Sequence, residues 1–283
     1  MRQEIENLKS MSLGDHLEEL RLRLILMLIG IFIGFVISVG FGKLFVRALQ
    51  IPYDNAIAQI NSSIDDVIVS DSDTKTAPQL IQPPLTTMGP AEGFKTYLQV
   101  SLFFAVLISS PWVIWQIWAF ISSGLYKKEK QFAYTVAPSS AILFITGALF
   151  FMFIIAPIIM KFFVNFDLML GVVSRWTLLN YINMVLSLTL IFGVAFQMPI
   201  VIVFAERVGL VTVHQLQTTR KFVILGIFFV AAVATPPDVV SQVSLAIPLY
   251  ALYEGSIIIC RFRRAKKQKA DSDAVPPAPE NQE

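Results

Sequence analysis

Long apolar segments constrain this chain more than any other feature of its sequence. A helix needs about 20 mainly apolar residues to cross a bilayer, because each residue adds 1.5 Å against a hydrocarbon core of roughly 30 Å. Four runs approach or exceed this length, and two runs nearer the C-terminus are shorter. The four long runs are residues 24–41, 97–121, 132–160 and 177–204, and the two shorter ones are 222–234 and 243–260. This pattern predicts an all-α membrane protein.

Composition supports the same class. Hydrophobic residues make up 55% of the 283 residues and charged residues only 15%, whereas ordinary soluble domains carry roughly 25% charged residues. A soluble fold of this length would still need a polar surface around its core. The first 23 residues contain five acidic side chains, unlike the short basic start of a cleavable signal. We therefore expect the first apolar run to remain in the protein as a membrane anchor.

The number of spans depends on the run at 222–234, which at about 13 residues is only roughly 20 Å long as a helix. The excess of Lys and Arg on the cytoplasmic side decides between the two topologies. With six spans, the internal segments 1–23, 122–131, 205–221 and 261–283 hold 16 of the 22 basic residues. With five spans the basic tail would lie outside and the excess would disappear. The sequence therefore predicts six transmembrane helices, both termini inside, and short fifth and sixth helices.

The chain divides into a membrane domain and a tail. We assign residues 1–264 to the six-helix transmembrane domain, which has one sizeable external loop at about 42–95. Residues 265–283 are charged, contain prolines and have little apolar surface to bury. Such a composition predicts a disordered cytoplasmic tail.

The sequence offers little for enzyme chemistry. It contains no phosphate-binding loop of the G-x-x-x-x-G-K-[ST] type. His16 and His214 stand in separate segments without the spacing of metal ligands, and Cys260 is the only cysteine. The spans show no nucleophile with a base and no H-E-x-x-H motif. We therefore predict a protein that is not an enzyme and that uses no cofactor, no metal and no nucleic acid.

Polar side chains near the inner ends of the spans are the candidate functional groups. Glu19 and Arg23 stand four residues apart on a predicted helix, and this spacing alone favours a simple intrahelical ion pair. Glu129 stands among three lysines in the next internal segment, as in an ordinary solvated loop. Glu254, in the last apolar run, either reaches the inner face and pairs there or marks a functional site, because acids within a membrane are costly.

Several motifs together resemble the TatC family, the multispanning receptor subunit of the twin-arginine protein translocase. No single motif is specific, but they follow one another in matching topological places through most of the chain. The motifs are HLEELR at 16–21, SPW at 110–112, QIWAF at 116–120, LYKKE at 125–129, FQMP at 196–199 and TPPDVVSQ at 235–242.

The resemblance implies a fold of six spans and a function in protein transport. Proteins of this family recognise signal peptides with consecutive arginines and move folded proteins across the membrane with the proton-motive force. Glu19 and Glu129 match the two acids that receive the arginines, which reverses the interpretation from spacing alone. Carboxylates suit this role because a guanidinium forms paired, charge-assisted hydrogen bonds with them, whereas lysine is a point charge.

The resemblance also assigns roles to further residues and partners. It implies a signal-peptide site that includes Arg21, Phe120 and Lys127, and a partner-subunit contact at Gln197 and Pro199. Structural or loop roles fall to Pro111, Pro236, Asp238, Gln242 and Glu254. The implied partners are single-span TatA/TatB-type subunits and twin-arginine signal peptides, in an oligomeric complex within the lipid bilayer. The implied location is the cytoplasmic (inner) membrane of a prokaryote.

The sequence departs from the family in two places, and it leaves one main alternative. Gln197 stands where many relatives have glutamate, and the external loop is longer, with residues 70–82 as the insertion. The alternative function is an ion-coupled secondary transporter of small solutes, which needs ionisable groups near the bilayer midplane. The spans offer only Gln197, Asn183 and Glu254 for this purpose. A membrane-embedded enzyme is a third and weaker alternative.

Overall fold

The computed structural model describes residues 13–70, 85–125, 127–172, 175–234 and 239–273, and most of these residues are helical. We number the α-helices in chain order, and a π-helical turn, Phe151–Ile155, joins the third to the fourth. The helices are α1 (Leu13–Ser70), α2 (Glu92–Ser123), α3 (Lys127–Phe150), α4 (Ala156–Met169), α5 (Leu178–Ala195), α6 (Met198–Val208), α7 (Val213–Thr218), α8 (Arg220–Ala234) and α9 (Val239–Asp273).

Five helical stretches in the described part of the chain are long and apolar enough to cross a membrane. They are Gly14–Ala58, Glu92–Ser123, Lys130–Met169, Leu178–Val208 and Val239–Lys266. These stretches contain the predicted first, second, third and sixth spans, and the predicted fourth span except for residue 177. Helix α8 has 15 residues, about 22 Å of helix, and it is not among the five. Its length alone therefore does not make it a span.

Helix α1 is much longer than the first predicted span. Its 58 residues correspond to about 87 Å, and residues 42–70, predicted as part of the external loop, are helical. Leu49, Tyr53, Ala56 and Ile60 lie at helical spacing, and all four are buried. The hydroxyl of Tyr181 donates a hydrogen bond to the carbonyl of Leu49 at 2.7 Å. Packing against the bundle, rather than lipid, therefore accounts for this extension.

Small residues bring α1 close to α2. Every fourth position on one face of α1 is glycine or serine: Gly30, Gly34, Ser38 and Gly42. A Cβ atom placed on Gly34 would lie 2.8 Å from the carbonyl oxygen of Ala105. The indole N–H of Trp112 donates to the carbonyl of Leu26 at 2.9 Å, which also joins the two helices. Helices in membranes commonly pack through such small residues, because the two backbones can then come close together.

The main core is built around α5, whereas the outer faces are apolar and open. Tyr181, Leu188 and Phe192 of α5 are almost completely buried, and Phe192 packs against Phe151 of the π-helical turn, with ring centroids 5.2 Å apart. In contrast, large apolar residues along α1 are exposed, for example Phe32. In a membrane protein such residues face lipid, which has no hydrophobic penalty for them.

The segment before α2 is fastened to the start of α5. The backbone N–H of Thr86 donates to the Trp176 carbonyl at 3.2 Å, and the N–H of Leu178 donates to the Thr86 carbonyl at 2.8 Å. Glu92 accepts backbone hydrogen bonds from Met88 at 2.6 Å and from Leu179 at 3.2 Å. These bonds fix the N-terminal ends of α2 and α5 relative to each other.

Helix α9 is longer than the short sixth helix that the apolar run predicts. It has 35 residues and ends at Asp273, so it continues past the apolar run at 243–260 into the basic segment. Residues 265–273, predicted as the first part of a disordered tail, are therefore helical. Residues 274–283 lie outside the described residues, so disorder there stays a prediction.

Candidate functional site

A network of three polar side chains joins α1 to α2 near their predicted inner ends. The Nε atom of Arg23 donates to Oε1 of Glu19 at 2.7 Å, and Nη1 of Arg23 donates to Oε1 of Gln116 at 2.8 Å. Gln116 is 2% exposed, and the Arg23 and Glu19 side chains are 24% and 21% exposed. The intrahelical pair expected from spacing is therefore present, and a buried amide on α2 holds it.

Aromatic stacking brings the next pair of residues together. The His16 ring on α1 stacks on Phe120 of α2, with ring centroids 4.7 Å apart, and both side chains are half-buried. Arg21, on the same helix as His16, is exposed. Of the predicted signal-peptide residues, Glu19, Arg21 and Phe120 thus lie at neighbouring ends of two packed helices.

The other predicted residues of this site lie at the start of α3. Helix α2 ends at Ser123 and α3 begins at Lys127, so Glu129 lies in the first turn of α3. The short connection keeps this turn close in the chain to the end of α2. The side chains of Lys127 and Glu129 lie outside the described part of the structure, so their participation in the site stays a prediction.

The predicted partner contact lies at a break between α5 and α6. Pro199, at the start of α6, cannot donate a backbone hydrogen bond, which is typical of such a break. The amide of Gln197 donates to the Ser140 carbonyl of α3 at 2.9 Å, and its oxygen accepts a hydrogen bond from the Ser140 hydroxyl. Within this chain, Gln197 therefore has a partner on another helix, and a contact with a second subunit stays a prediction.

Two of the residues predicted to be structural are associated with hydrogen bonds, one within a helix and one between two helices. Pro111 lies inside α2, where proline leaves the carbonyl four residues earlier without its helical donor. The Ser110 hydroxyl donates to that carbonyl, of Leu107, at 2.7 Å. Gln242 of α9 donates to the Phe228 carbonyl of α8 at 3.0 Å, which ties the two helices together. Pro236 and Asp238 lie outside the described residues.

Glu254 on α9 pairs with a basic residue from the neighbouring helix. Nη2 of Arg220 donates to its Oε2 at 2.8 Å, and the Tyr250 hydroxyl donates to its Oε1 at 2.9 Å. Glu254 is therefore paired in the structure, and its assignment as a structural residue stays a prediction. The side chain of Arg220 is 40% exposed and that of Glu254 is 25% exposed.

Reasoning from the sequence did not single out Arg23 and Gln116 as parts of the site. The four-residue spacing of Glu19 and Arg23 gave a signal for the pair, but Arg23 and Gln116 are 93 residues apart. The available signal for Gln116 was its position within an apolar span, because a side-chain amide in a membrane needs a hydrogen-bond partner. Among the described residues, no group of three or more His, Cys, Asp or Glu side chains is placed to hold a metal ion.

The described residues form five helical stretches that are long and apolar enough to cross a membrane, which defines the chain as an all-helical, multi-pass membrane protein. The profile of the family described as "Sec-independent protein translocase protein (TatC)" matches residues 15–248. The chain is 36% identical over 261 residues to TatC of Desulforapulum autotrophicum, covering 92% of this chain and 88% of the relative. It is 34% identical over 260 residues to TatC of Aquifex aeolicus, covering 92% of this chain and 98% of the relative.

A crystal structure of the twin-arginine translocase receptor TatC has the same fold. It is 34% identical in sequence, with a TM-score of 0.71, and the match covers 87% of this chain and 98% of that one. The chain therefore belongs to the TatC family. It is the receptor subunit of the twin-arginine translocase and a non-enzymatic component of protein transport. This assignment does not support the ion-coupled transporter or the membrane enzyme.

Proposed function

We propose that this chain binds the paired arginines of signal peptides at the inner ends of α1, α2 and α3, through Glu19 and Glu129. The observation that carries the proposal is the contact of Glu19 with Arg23, because its carboxylate already accepts a guanidinium hydrogen bond at 2.7 Å. The position is half-buried, where a charge-assisted hydrogen bond is stronger than in open water. Phe120, Arg21 and Lys127 complete this site.

Single carboxylate-to-amide substitutions test the site. Glu19→Gln and Glu129→Gln keep the side-chain size and remove the charge, so both variants are expected to fold and insert. Loss of a charged hydrogen bond weakens binding of a twin-arginine peptide by about 1.5–3 kcal/mol, or roughly 10- to 150-fold in Kd. Glu18→Gln is the matched control, because Glu18 is an exposed neighbour on the same helix. Normal peptide binding by both variants would place the arginine site elsewhere.

We infer a topology of six spans with both termini in the cytoplasm, in the cytoplasmic membrane of a prokaryote. The placement of the basic residues supports it, since α8 must cross the membrane for the tail to lie with the other basic segments. Single cysteines at Ser72, Ser174 and Val240, in a Cys260→Ser background, should react with an impermeant thiol reagent from outside. Cysteines at Ser123 and Ser272 should not. Labelling of the cysteine at Ser272 from outside would contradict six spans.

We further propose that single-span TatA/TatB-type subunits dock at the break between α5 and α6, near Gln197 and Pro199, in an oligomeric complex. An amide oxygen and an NH2 group together offer more hydrogen bonds than Ser140 uses, so Gln197 keeps capacity for a second partner. Interhelical bonds in membranes average about 0.6 kcal/mol, which suits a contact that has to reverse. Gln197→Ala should weaken crosslinking to the partner helix, and Gln197→Glu should preserve it. If Gln197→Ala lowers only the melting temperature of the isolated subunit, the residue is structural.

A further inference from the structure

We propose that Arg23 is an internal competitor for the arginine site, and that it sets the preference of Glu19 for arginine over lysine. The inference rests on the proposed function of Glu19 as a receptor for signal-peptide arginines. In the structure, the guanidinium of Arg23 occupies one oxygen of the carboxylate that the peptide has to reach. A signal-peptide arginine therefore replaces a bond that the receptor already makes.

Arg23 is positioned by two partners, but it does not form the strongest possible pair with Glu19. An arginine and a carboxylate commonly form two parallel hydrogen bonds, which is their strongest arrangement. Here Nε of Arg23 bonds to Glu19, while Nη1 is turned to Gln116 at 2.8 Å. The pair is therefore joined by one hydrogen bond, and a peptide guanidinium that approaches with both of its donors gains one more than Arg23 gives up.

Gln116 provides a hydrogen-bond acceptor for Arg23 after the peptide has displaced Arg23 from Glu19. Its side chain is 2% exposed, so the surrounding groups restrict its motion and its oxygen remains available to Arg23 as an acceptor. Because Arg23 keeps this bond, its charge does not have to enter the apolar region without a partner, which would be costly. The exchange therefore needs only a rotation of the Arg23 side chain.

Competition by Arg23 also explains discrimination against lysine. The Glu19–Arg23 pair has no net charge, so it offers little attraction to the point charge of an ammonium group. A guanidinium can replace Arg23 with the same planar donor geometry, whereas a lysine cannot. Without Arg23 the bare carboxylate would attract both side chains, and the difference between them would shrink.

Binding of labelled signal peptides to the purified chain in nanodiscs tests this proposal. For Arg23→Gln we expect the Kd of a twin-arginine peptide to fall about twofold to fivefold, the range of one partly exposed ion pair. The Kd of the matching twin-lysine peptide should fall further. The ratio of the twin-lysine Kd to the twin-arginine Kd should therefore decrease at least about twofold. Arg264→Gln is the control, because it removes one exposed basic charge from another helix.

Two further variants separate a contact effect from a general charge effect. In a Glu19→Gln background, Arg23→Gln should no longer tighten binding, since the carboxylate for which Arg23 competes is absent. If Arg23→Gln does not fold, Arg23→Lys keeps the charge but lacks the two-sided donor geometry. An ammonium group of the peptide can replace the substituted ammonium group on equal terms, so this variant should still show a smaller ratio of the twin-lysine Kd to the twin-arginine Kd.

Three outcomes would overturn the proposal. The first is a folded Arg23→Gln variant that binds the twin-arginine peptide no more tightly than the unmodified chain. The second is that Arg23→Gln still lowers the Kd of this peptide in the Glu19→Gln background. The third is that Arg23→Lys leaves the ratio of the twin-lysine Kd to the twin-arginine Kd unchanged. The proposed function fails separately, namely if Glu19→Gln alone leaves twin-arginine binding intact. A loss of binding in Glu19→Gln, with no tightening in Arg23→Gln, refutes only the competition by Arg23.

Discussion

The close packing of α1 on α2 can be tested with one substitution and a matched control on the same helix. Gly34 lies against α2, where a Cβ atom would come within 2.8 Å of the Ala105 carbonyl oxygen. Ordinary contact begins at 3.4 Å, so the two backbones would have to separate by several tenths of an ångström. Gly40 lies on the same helix, and a Cβ atom there meets nothing within 4 Å.

The expected magnitude follows from two opposing terms. Replacing glycine by alanine within a helix stabilises the helix by up to about 1 kcal/mol, and this term is common to both sites. Overpacking at Gly34 costs about 1–3 kcal/mol in addition. The helix term is the same in both variants and cancels when they are compared. We therefore expect Gly34→Ala to be less stable than Gly40→Ala by about 1–3 kcal/mol.

The assay is thermal unfolding of both variants in one detergent, followed by fluorescence-detected size-exclusion chromatography. On the scale of soluble proteins of similar size, the expected difference corresponds to about 2–12 °C in apparent melting temperature. Gly40→Ala should melt at or above the temperature of the unmodified chain, and Gly34→Ala should melt below Gly40→Ala. Equal shifts for the two variants would refute the close approach of α1 and α2.

Two further predictions concern hydrogen bonds and ion pairs. Tyr181→Phe should lower stability by about 0.5–1.5 kcal/mol, because it removes a buried hydrogen bond to the Leu49 carbonyl. Tyr134→Phe, at an exposed tyrosine on α3, serves as its control, and equal melting temperatures would argue against the bond. A double-mutant cycle with Glu254→Gln and Arg220→Gln should give a coupling energy of only about 0.2–1 kcal/mol, since the pair is partly exposed. A coupling of zero would favour a functional role for Glu254.

The features that the sequence predicts well depend on local spacing or on span length. Residues 97–121, 132–160 and all but the first residue of 177–204 fall within span-length helices, because a bilayer demands a continuous apolar run. The bond between Glu19 and Arg23 follows from four-residue spacing on a helix. Gln197 is an amide within a predicted span, where such a group needs a hydrogen-bond partner, and Ser140 provides one.

The features that sequence patterns missed depend on contacts between distant segments. The extension of α1 has too few apolar residues for a span, and its buried face at Leu49, Tyr53 and Ala56 is stabilised only by the packed bundle. Gln116 lies 93 residues from Arg23, so no local pattern could pair them. Similarly, α9 continues to Asp273, because a helix does not have to end where its apolar run ends.

The arrangement of the candidate site depends on helix packing as well as on charge. Glu19 and Arg23 belong to α1, whereas Gln116, which holds Arg23, belongs to α2. Gly34 lies 11 residues further along α1 than Arg23, about 17 Å of helix, so the glycine contact and the hydrogen bond are two points on the same interface. A helix pushed away at one point also moves at the other, and a hydrogen bond of 2.8 Å tolerates little displacement. Substitutions that separate α1 from α2 should therefore change signal-peptide affinity even where they touch no charged residue.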